Sequence, residues 1–367
     1  MEHVGRRTVV GLALAAGAGL AAACQSDDEV LHQDGPGGTD TPAPAVTRRQ
    51  AGVDTPLPRQ RYAVVSVLTL ADVGAAQATL RRLGEAVLDV AQTDGVTVTV
   101  GVGPAVVRSA RGAGFVGAED LATFESDRIE DGARGGDLLL QVCADRKSTT
   151  RSVTDDLVTA IGRAARTSWS IDGYRGEVDG VGARNLLGFY DGVAVPTEPA
   201  EIDADVWTDE SDGLADATIC VLRRIRLDHR RFASLPVTEQ EAVLGRHKRS
   251  GAPLSGGGST ADVDLQARSD DGVFDIANDA HVRRAHPLFS GARKLMMRRG
   301  YSYRAAPDDQ GLAFICFQRE LQMFVRTQNS MDGGDRLLTF ATTTGTGSFL
   351  VLPMWTRAEP LGATLFA

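Results

Sequence analysis

The sequence predicts an α+β fold built from two similar βαββαβ halves with antiparallel sheets. Three observations carry this expectation. All the aromatic residues (12 Phe, 5 Tyr and 3 Trp) lie at or beyond Tyr62, so the chain with something large to bury begins near residue 60. Beyond that point β-rich runs alternate with runs of helical period. The order of runs in the first half then recurs in the second, as two ferredoxin-like units would require.

Arg61 to Leu70 (RYAVVSVLTL) is rich in β-branched residues and reads as a strand. A helix should follow from Asp72 to Ala91, since Val73, Leu80, Leu83, Val87 and Val90 fall on one face at three- and four-residue steps. Val96 to Gly101 alternates as a strand, Leu138 to Cys143 reads as a buried one, and Thr154 to Ala165 as a helix bearing Leu157, Ile161 and Ala164. One further strand in this half has no clear position. In the second half the expected strands are Thr218 to Leu227, Leu312 to Gln318 and Ser348 to Pro353, with helices at Val237 to Gly245 and Glu320 to Arg326. Cys143, Cys220 and Cys316 all fall in apolar strands and read as buried free thiols. The expected organisation is a signal over residues 1–24, a disordered linker over 25–60, and halves over 61–205 and 206–367.

Composition excludes several classes. The 39 Lys and Arg against 48 Asp and Glu give a net charge of −9, which argues against a nucleic-acid partner, since such affinity rests on neutralising phosphates. Four cysteines in 367 residues are too few for a disulfide scaffold. No Gly-X-Y period, sustained heptad or second long apolar run is present, so collagen, coiled-coil and multi-pass membrane readings fail.

The N-terminus reads as an address. Arg6-Arg7 precede an uncharged stretch from Val9 to Ala23, too short to span roughly 30 Å of hydrocarbon as a helix. A basic pair, a modest apolar run and small residues before a cleavage point form a twin-arginine export signal. Ala21-Ala22-Ala23-Cys24 resembles a bacterial lipobox with its Leu one place early, at Leu20. Acylation of Cys24 with membrane anchoring, and plain cleavage nearby, are the two processing routes this leaves open. Residues 25–60 hold Pro36, Pro42, Pro44, Pro56 and Pro58 among many charges and read as a flexible tether.

No P-loop, HExxH, GxSxG or zinc-ribbon pattern marks the chemistry, and the lone Gly101-Val102-Gly103 reads as a turn. Two stretches remain. Gly188-Phe189-Tyr190-Asp191-Gly192 is a turn by composition, but its apolar flanks (Leu186, Leu187, Phe189, Tyr190) would carry Asp191 into a pocket, where a carboxylate can shuttle protons. His281 and His286 stand in DAHVRRAHP, shortly before LMMRRGYSY with Arg298 and Arg299.

GFYDG matches the G-x-x-D-G motif of the dye-decolourising peroxidases. DAHVRRAHP and LMMRRGYSY resemble that family's proximal-histidine segment and distal-arginine strand. GGDLLLQVCAD, EQEAVLGRHKRSGAPL and FICFQREL resemble other recurrent stretches, so the similarity spans residues 61–367. The resemblance implies a dimeric α/β-barrel-like fold of two ferredoxin-like halves and a haem b cofactor. It implies His281 as axial iron ligand, Asp191 as distal acid–base residue and Arg298 as distal arginine, with Arg299 second in line. Gly192 and Val193 would lie at the porphyrin edge. His286 stands where many relatives have Asn, leaving a second histidine near the iron, and Leu288 replaces an arginine that would pair with a haem propionate. Arg226 or Arg284 is the candidate substitute, a choice the sequence leaves open.

The implied activity is reduction of hydrogen peroxide coupled to oxidation of bulky organic donors, with electrons relayed through Tyr301, Tyr303, Trp169, Trp207 or Trp355 where these do not simply pack. Release of iron from haem, as in the deferrochelatases of the same family, is the alternative within the fold. A non-catalytic haem-binding lipoprotein is the alternative outside catalysis. The oligomeric state stays open, homo-oligomers included.

Overall fold

The computed structural model describes residues 48–90, 93, 95–291 and 295–367. The expected signal, Cys24 and the first part of the expected linker lie outside the described residues.

The first half runs β1 (Tyr62–Leu70), α1 (Ala76–Val90), β2 (Thr97–Val102), α2 (Pro104–Arg111), β3 (Leu138–Ala144), α3 (Lys147–Ile161) and β4 (Ala165–Tyr174). Its strands lie in the order β2-β3-β1-β4, antiparallel throughout. After α4 (Pro199–Asp205) the second half opens with β5 (Thr218–Leu227), followed by four short helices: α5 (His229–Ala233), α6 (Val237–Leu244), α7 (His281–Arg284) and α8 (Pro287–Ser290). Then come β6 (Met297–Arg298), β7 (Tyr301–Ala306), β8 (Asp309–Gln318), α9 (Leu321–Asp332) and β9 (Ala341–Val351). Both β6 and β7 pair with β8, so they form one strand interrupted at Arg299-Gly300. The order β7-β8-β5-β9 repeats that of the first half. Strand β4 pairs with β7 and β9 with β2, which closes the two sheets into an eight-strand barrel.

Strand alternation divides the core into two layers. Val65, Val67, Leu222, Ile315, Phe317 and Phe349 fill the barrel. Leu140, Val142 and Val221 face outward with Leu80, Leu83 and Leu157 of the covering helices. Each such large side chain contributes about 1.5–3 kcal/mol when fully buried. Cys143, Cys220 and Cys316 are buried and free, and burial pushes all three thiols above their ordinary value.

Several boundaries move, each for a local reason. Helix α3 starts seven residues before the expected Thr154, because its early buried positions are Thr150 and Val153 in a polar run. Strand β9 starts at Ala341 rather than Ser348, since ATTTGTG has little apolar signal. The unplaced strand is β4. Gly101-Val102-Gly103 is no turn: the first two residues end β2 and Gly103 precedes α2. A Cβ on Gly103 would come within 1.9 Å of the Gly136 carbonyl oxygen, so the glycine permits a close crossing of two backbones.

The largest correction concerns residues 48–60, which composition assigns to the linker. They pack against the barrel. Val53 is fully buried, and the Gln50 side-chain amide donates to the carbonyls of Val100 and Leu352 while accepting from the Val100 N–H. The Arg299 guanidinium donates to the carbonyls of Asp54 and Pro56 at 3.2 Å each. The segment is held by hydrogen bonds from polar side chains, a signal absent from apolar periodicity.

Candidate active site

A cavity of about 700 Å³ lies on the outer face of the second half's sheet, beneath α7, α8 and α9. This volume falls within the roughly 300–1,000 Å³ of ligand and cofactor sites. Most of the wall is apolar, with Leu227, Leu312, Phe314, Phe324 and Met331 among its residues. Strand alternation selects which polar groups reach it. Met297, Arg299, Tyr301 and Tyr303 point into the barrel, whereas Arg298 and Ser302 face the cavity. Period two therefore separates the two adjacent arginines. Burial drives the Arg298 guanidinium below its usual value, with the Asp191 carboxylate acting in the opposite direction. Burial likewise brings Arg299 down to about 10.

The turn bearing Asp191 is fixed by its neighbours. Asn185 accepts from the N–H groups of Leu187 and Phe189 through its side chain, and Asp191 N–H donates to the Ala183 carbonyl at 3.1 Å. Phe189 and Leu187 anchor it in a small core with Phe232, Val243 and Phe340. Arg184 binds the carbonyls of Gly188, Lys248 and Arg249 and lies 3.9 Å from the Tyr190 ring centroid. Asp191, Gly192 and Val193 thus arrive at the cavity, each half-buried. The Asp191 Oδ2 lies 3.8 Å from the point a Cβ would occupy on Gly300, so the carboxylate sits at the β6–β7 interruption, on the wall that carries Arg298.

His281 stands on the opposite, helical wall, at the first position of α7. Its Nδ1 donates to Asp335 Oδ2 at 2.7 Å. That carboxylate is wholly buried and accepts from the Leu337 N–H through its other oxygen. The proton therefore sits on Nδ1, and Nε2 keeps its lone pair with no hydrogen bond among the described residues. His286 also lines the cavity but carries the opposite tautomer. Nδ1 accepts from the Leu288 N–H at 3.2 Å, which places the proton on Nε2, 3.4 Å from Asp262 Oδ1. The two histidines differ in the one property a metal needs, a free lone pair.

Asp335 escaped the sequence reading, because nothing in GGDRLL connects it to a histidine 54 positions earlier. Arg246 escaped as well. It lines the cavity next to Asp262 and Arg298, holding the carbonyls of Gly251, Ser259 and Ala261. Neither expected substitute cation reaches the cavity. Arg226 is exposed on the other face of β5, and Arg284 folds back on the Asn278 carbonyl and the Phe289 ring. The proposed electron relays are mostly packing residues: Tyr301, Tyr303 and Trp207 fill the barrel, and Trp355 donates to the Gly84 carbonyl under α1. Trp169 alone of the five is half-exposed.

A further buried charge closes the far end of the cavity. Arg223 pairs with Asp127 at 2.5 Å, both side chains being about 1–2% exposed, and its guanidinium lies over Phe124 and Phe324. Removing one partner would strand the other charge at a cost of about 3–5 kcal/mol. Among the described residues no group of three or more His, Cys, Asp or Glu side chains is arranged to hold a bare metal ion. One free imidazole nitrogen above an apolar cavity fits instead an iron whose other ligands come from a macrocycle.

Two family models match this chain: the N-terminal part of Dyp-type peroxidases over residues 50–175 and the C-terminal part over residues 182–356. The deferrochelatase of Yersinia pestis is 31% identical over 284 residues, covering 71% of this chain and 64% of its own length. The dye-decolorizing peroxidase of Thermobifida fusca is 33% identical over 287 residues, covering 69% of this chain and 64% of its own. The chain thus spans under two thirds of the length of these curated relatives. Among solved structures, ferric DtpA from Streptomyces lividans has a TM-score of 0.79 at 29% identity, covering 87% of this chain and 95% of that one. A DyP-type peroxidase from Cellulomonas bogoriensis also has a TM-score of 0.79 at 29% identity, covering 88% and 98%. With both halves matched and the barrel shared, the chain belongs to the Dyp-type peroxidase family.

Proposed function

We propose that this chain is a haem b peroxidase that reduces hydrogen peroxide and oxidises bulky organic donors. The observation that carries the reading is the pair of opposed walls: His281, oriented by the buried Asp335, faces Asp191 and Arg298 across one apolar cavity. His281 Nε2 would ligate the iron, and the Asp335 carboxylate on Nδ1 would raise the basicity of that ligand. Gly192 has φ +73, a conformation open to glycine, and would bring backbone close to the macrocycle edge beside Val193. Arg246, in the cavity wall, would be the cation that meets a propionate. The haem, when bound, supplies the redox chemistry. Asp191 would take a proton from one peroxide oxygen and hand it to the other, which could then leave as water with the two electrons that a bound haem would supply. Arg298 steadies the negative charge on the peroxide as it forms, at every working pH.

The similarity to the Yersinia deferrochelatases favours a second reading, release of iron from haem. One experiment separates the readings. Purified protein loaded with haem is mixed with peroxide in a stopped-flow spectrometer. A rapid change in the Soret band followed by donor-dependent recovery is expected. Accumulation of metal-free porphyrin would support iron release, and an inert spectrum would support a haem carrier.

Export by the twin-arginine route with a lipid tether at Cys24 completes the proposal, supported by Arg6-Arg7 and the Ala21-Ala22-Ala23-Cys24 sequence. Replacing both arginines with lysine should leave precursor in the cytoplasm, and Cys24→Ser should release exported protein from the membrane fraction. Mass spectrometry finding no acyl group on Cys24 would remove the tether.

A further inference from the structure

We infer that Arg59 is a positioning residue for the peroxide site, tying the Asp191–Gly192 turn to strand β6 and so setting the separation of Asp191 from Arg298. The inference rests on the proposed roles of those two residues.

The tie begins with a fixed backbone. Arg299, turned into the barrel, holds the carbonyls of Asp54 and Pro56. The carbonyl of Arg59 itself accepts from Arg175 Nη1 at 3.2 Å, and the Arg175 N–H donates to the Arg61 carbonyl at 2.8 Å. Residues 54–61 are therefore pinned on both sides of Arg59. From this base the guanidinium reaches two elements at once. Nη1 donates to the Arg298 carbonyl at 3.1 Å. Nη2 lies 2.7 Å from the point a Cβ would occupy on Gly192, so it rests directly on the turn's backbone. Any side chain at position 192 would displace it.

Among the described residues no hydrogen bond joins the Asp191 turn to β6 directly. The turn hangs from Ala183 and Asn185, while β6 hangs from β8. A rigid planar fork in contact with both is what couples them, and a lysine, with one compact donor group, cannot reproduce it. The charge matters too. Arg59, Arg175 and Arg298 form no ion pair within 4 Å among the described residues, and Asp191 is the carboxylate that acts on both Arg175 and Arg298. The turn is thus drawn toward a cluster of guanidiniums whose spacing Arg59 helps to define.

The test uses the full chain with haem bound and three variants: Arg59→Ala, Arg59→Lys and Arg59→Ala combined with Arg298→Leu. Backbone hydrogen exchange is followed at Asp191, whose N–H is bonded to Ala183. Exchange there should accelerate at least tenfold in Arg59→Ala and by less in Arg59→Lys, with haem content unchanged. The peroxide-dependent rate should fall by about 10–10²-fold in Arg59→Ala, the scale expected for a misplaced catalytic group. In the Arg298→Leu background the same change should cost less than twofold, because the group being positioned is gone. Unchanged exchange at Asp191, or a loss that multiplies in full with that of Arg298→Leu, would overturn the inference. If Arg59→Ala does not fold, the Arg59→Lys exchange rate decides in its place. Full rates in both Asp191→Asn and Arg298→Leu would instead defeat the proposed function, and the exchange data would still decide the tie.

Discussion

His281→Ala abolishes haem retention in the purified protein, and His286→Ala leaves it largely intact. This result is expected because His281 has its Nδ1 proton committed to Asp335 and its Nε2 lone pair free, whereas the Leu288 N–H takes the Nδ1 lone pair of His286 and leaves a proton on its Nε2. Absorbance in the Soret region per protein, after gel filtration, reads the outcome. Asp335→Asn belongs to the same series. The amide can still accept a hydrogen bond but cannot supply the negative charge, so haem affinity should weaken by about 10–100-fold, the usual effect of a lost partner behind a metal ligand. Equal loss from both histidine variants would show that lone-pair availability does not select the ligand.

The second large effect concerns the opposite wall. Asp191→Asn should lower the peroxide-dependent rate by about 10²–10⁴ and Arg298→Leu by about 10²–10³. These ranges overlap, so the pH profile has to separate the roles. A shuttle that works through a carboxylate gives the wild type an acid limb. That limb should vanish in Asp191→Asn, which has nothing to titrate. It should persist at a lower level in Arg298→Leu, since a guanidinium stays charged throughout the accessible range. Rate constants measured across the acid range for all three proteins provide the comparison. An acid limb kept by Asp191→Asn and lost by Arg298→Leu would reverse the assignment.

What was legible in the sequence follows from what periodicity encodes. Strands β1, β3, β5 and β8 and helices α1 and α6 have a regular apolar face, and each was placed to within a few residues. The front of α3, the start of β9 and the whole of β4 bury threonine, glycine or alternating polar residues and left no such trace. The site divides in the same way. Asp191, His281 and Arg298 stand in short local motifs and were named. Asp335 reaches His281, Arg246 the cavity wall and Arg59 the Arg298 carbonyl through the fold, from positions that carry no local pattern. Residues 48–60 of the expected linker pack on the barrel because hydrogen bonds from Gln50 and Arg299 hold a segment with little apolar signal.

Barrel closure also dictates when the protein can become functional. Strand β9 must pair with β2, some 250 residues earlier in the chain, and with β5. Pairings of such long sequence separation are slow to form, because chain entropy is lost before contacts compensate. Ala341 and Thr343 of that strand, together with α9, are walls of the cavity. A chain in which β9 has not joined β5 therefore has no complete pocket. The cavity waits on that pairing, and a cofactor can be gripped only after it has formed.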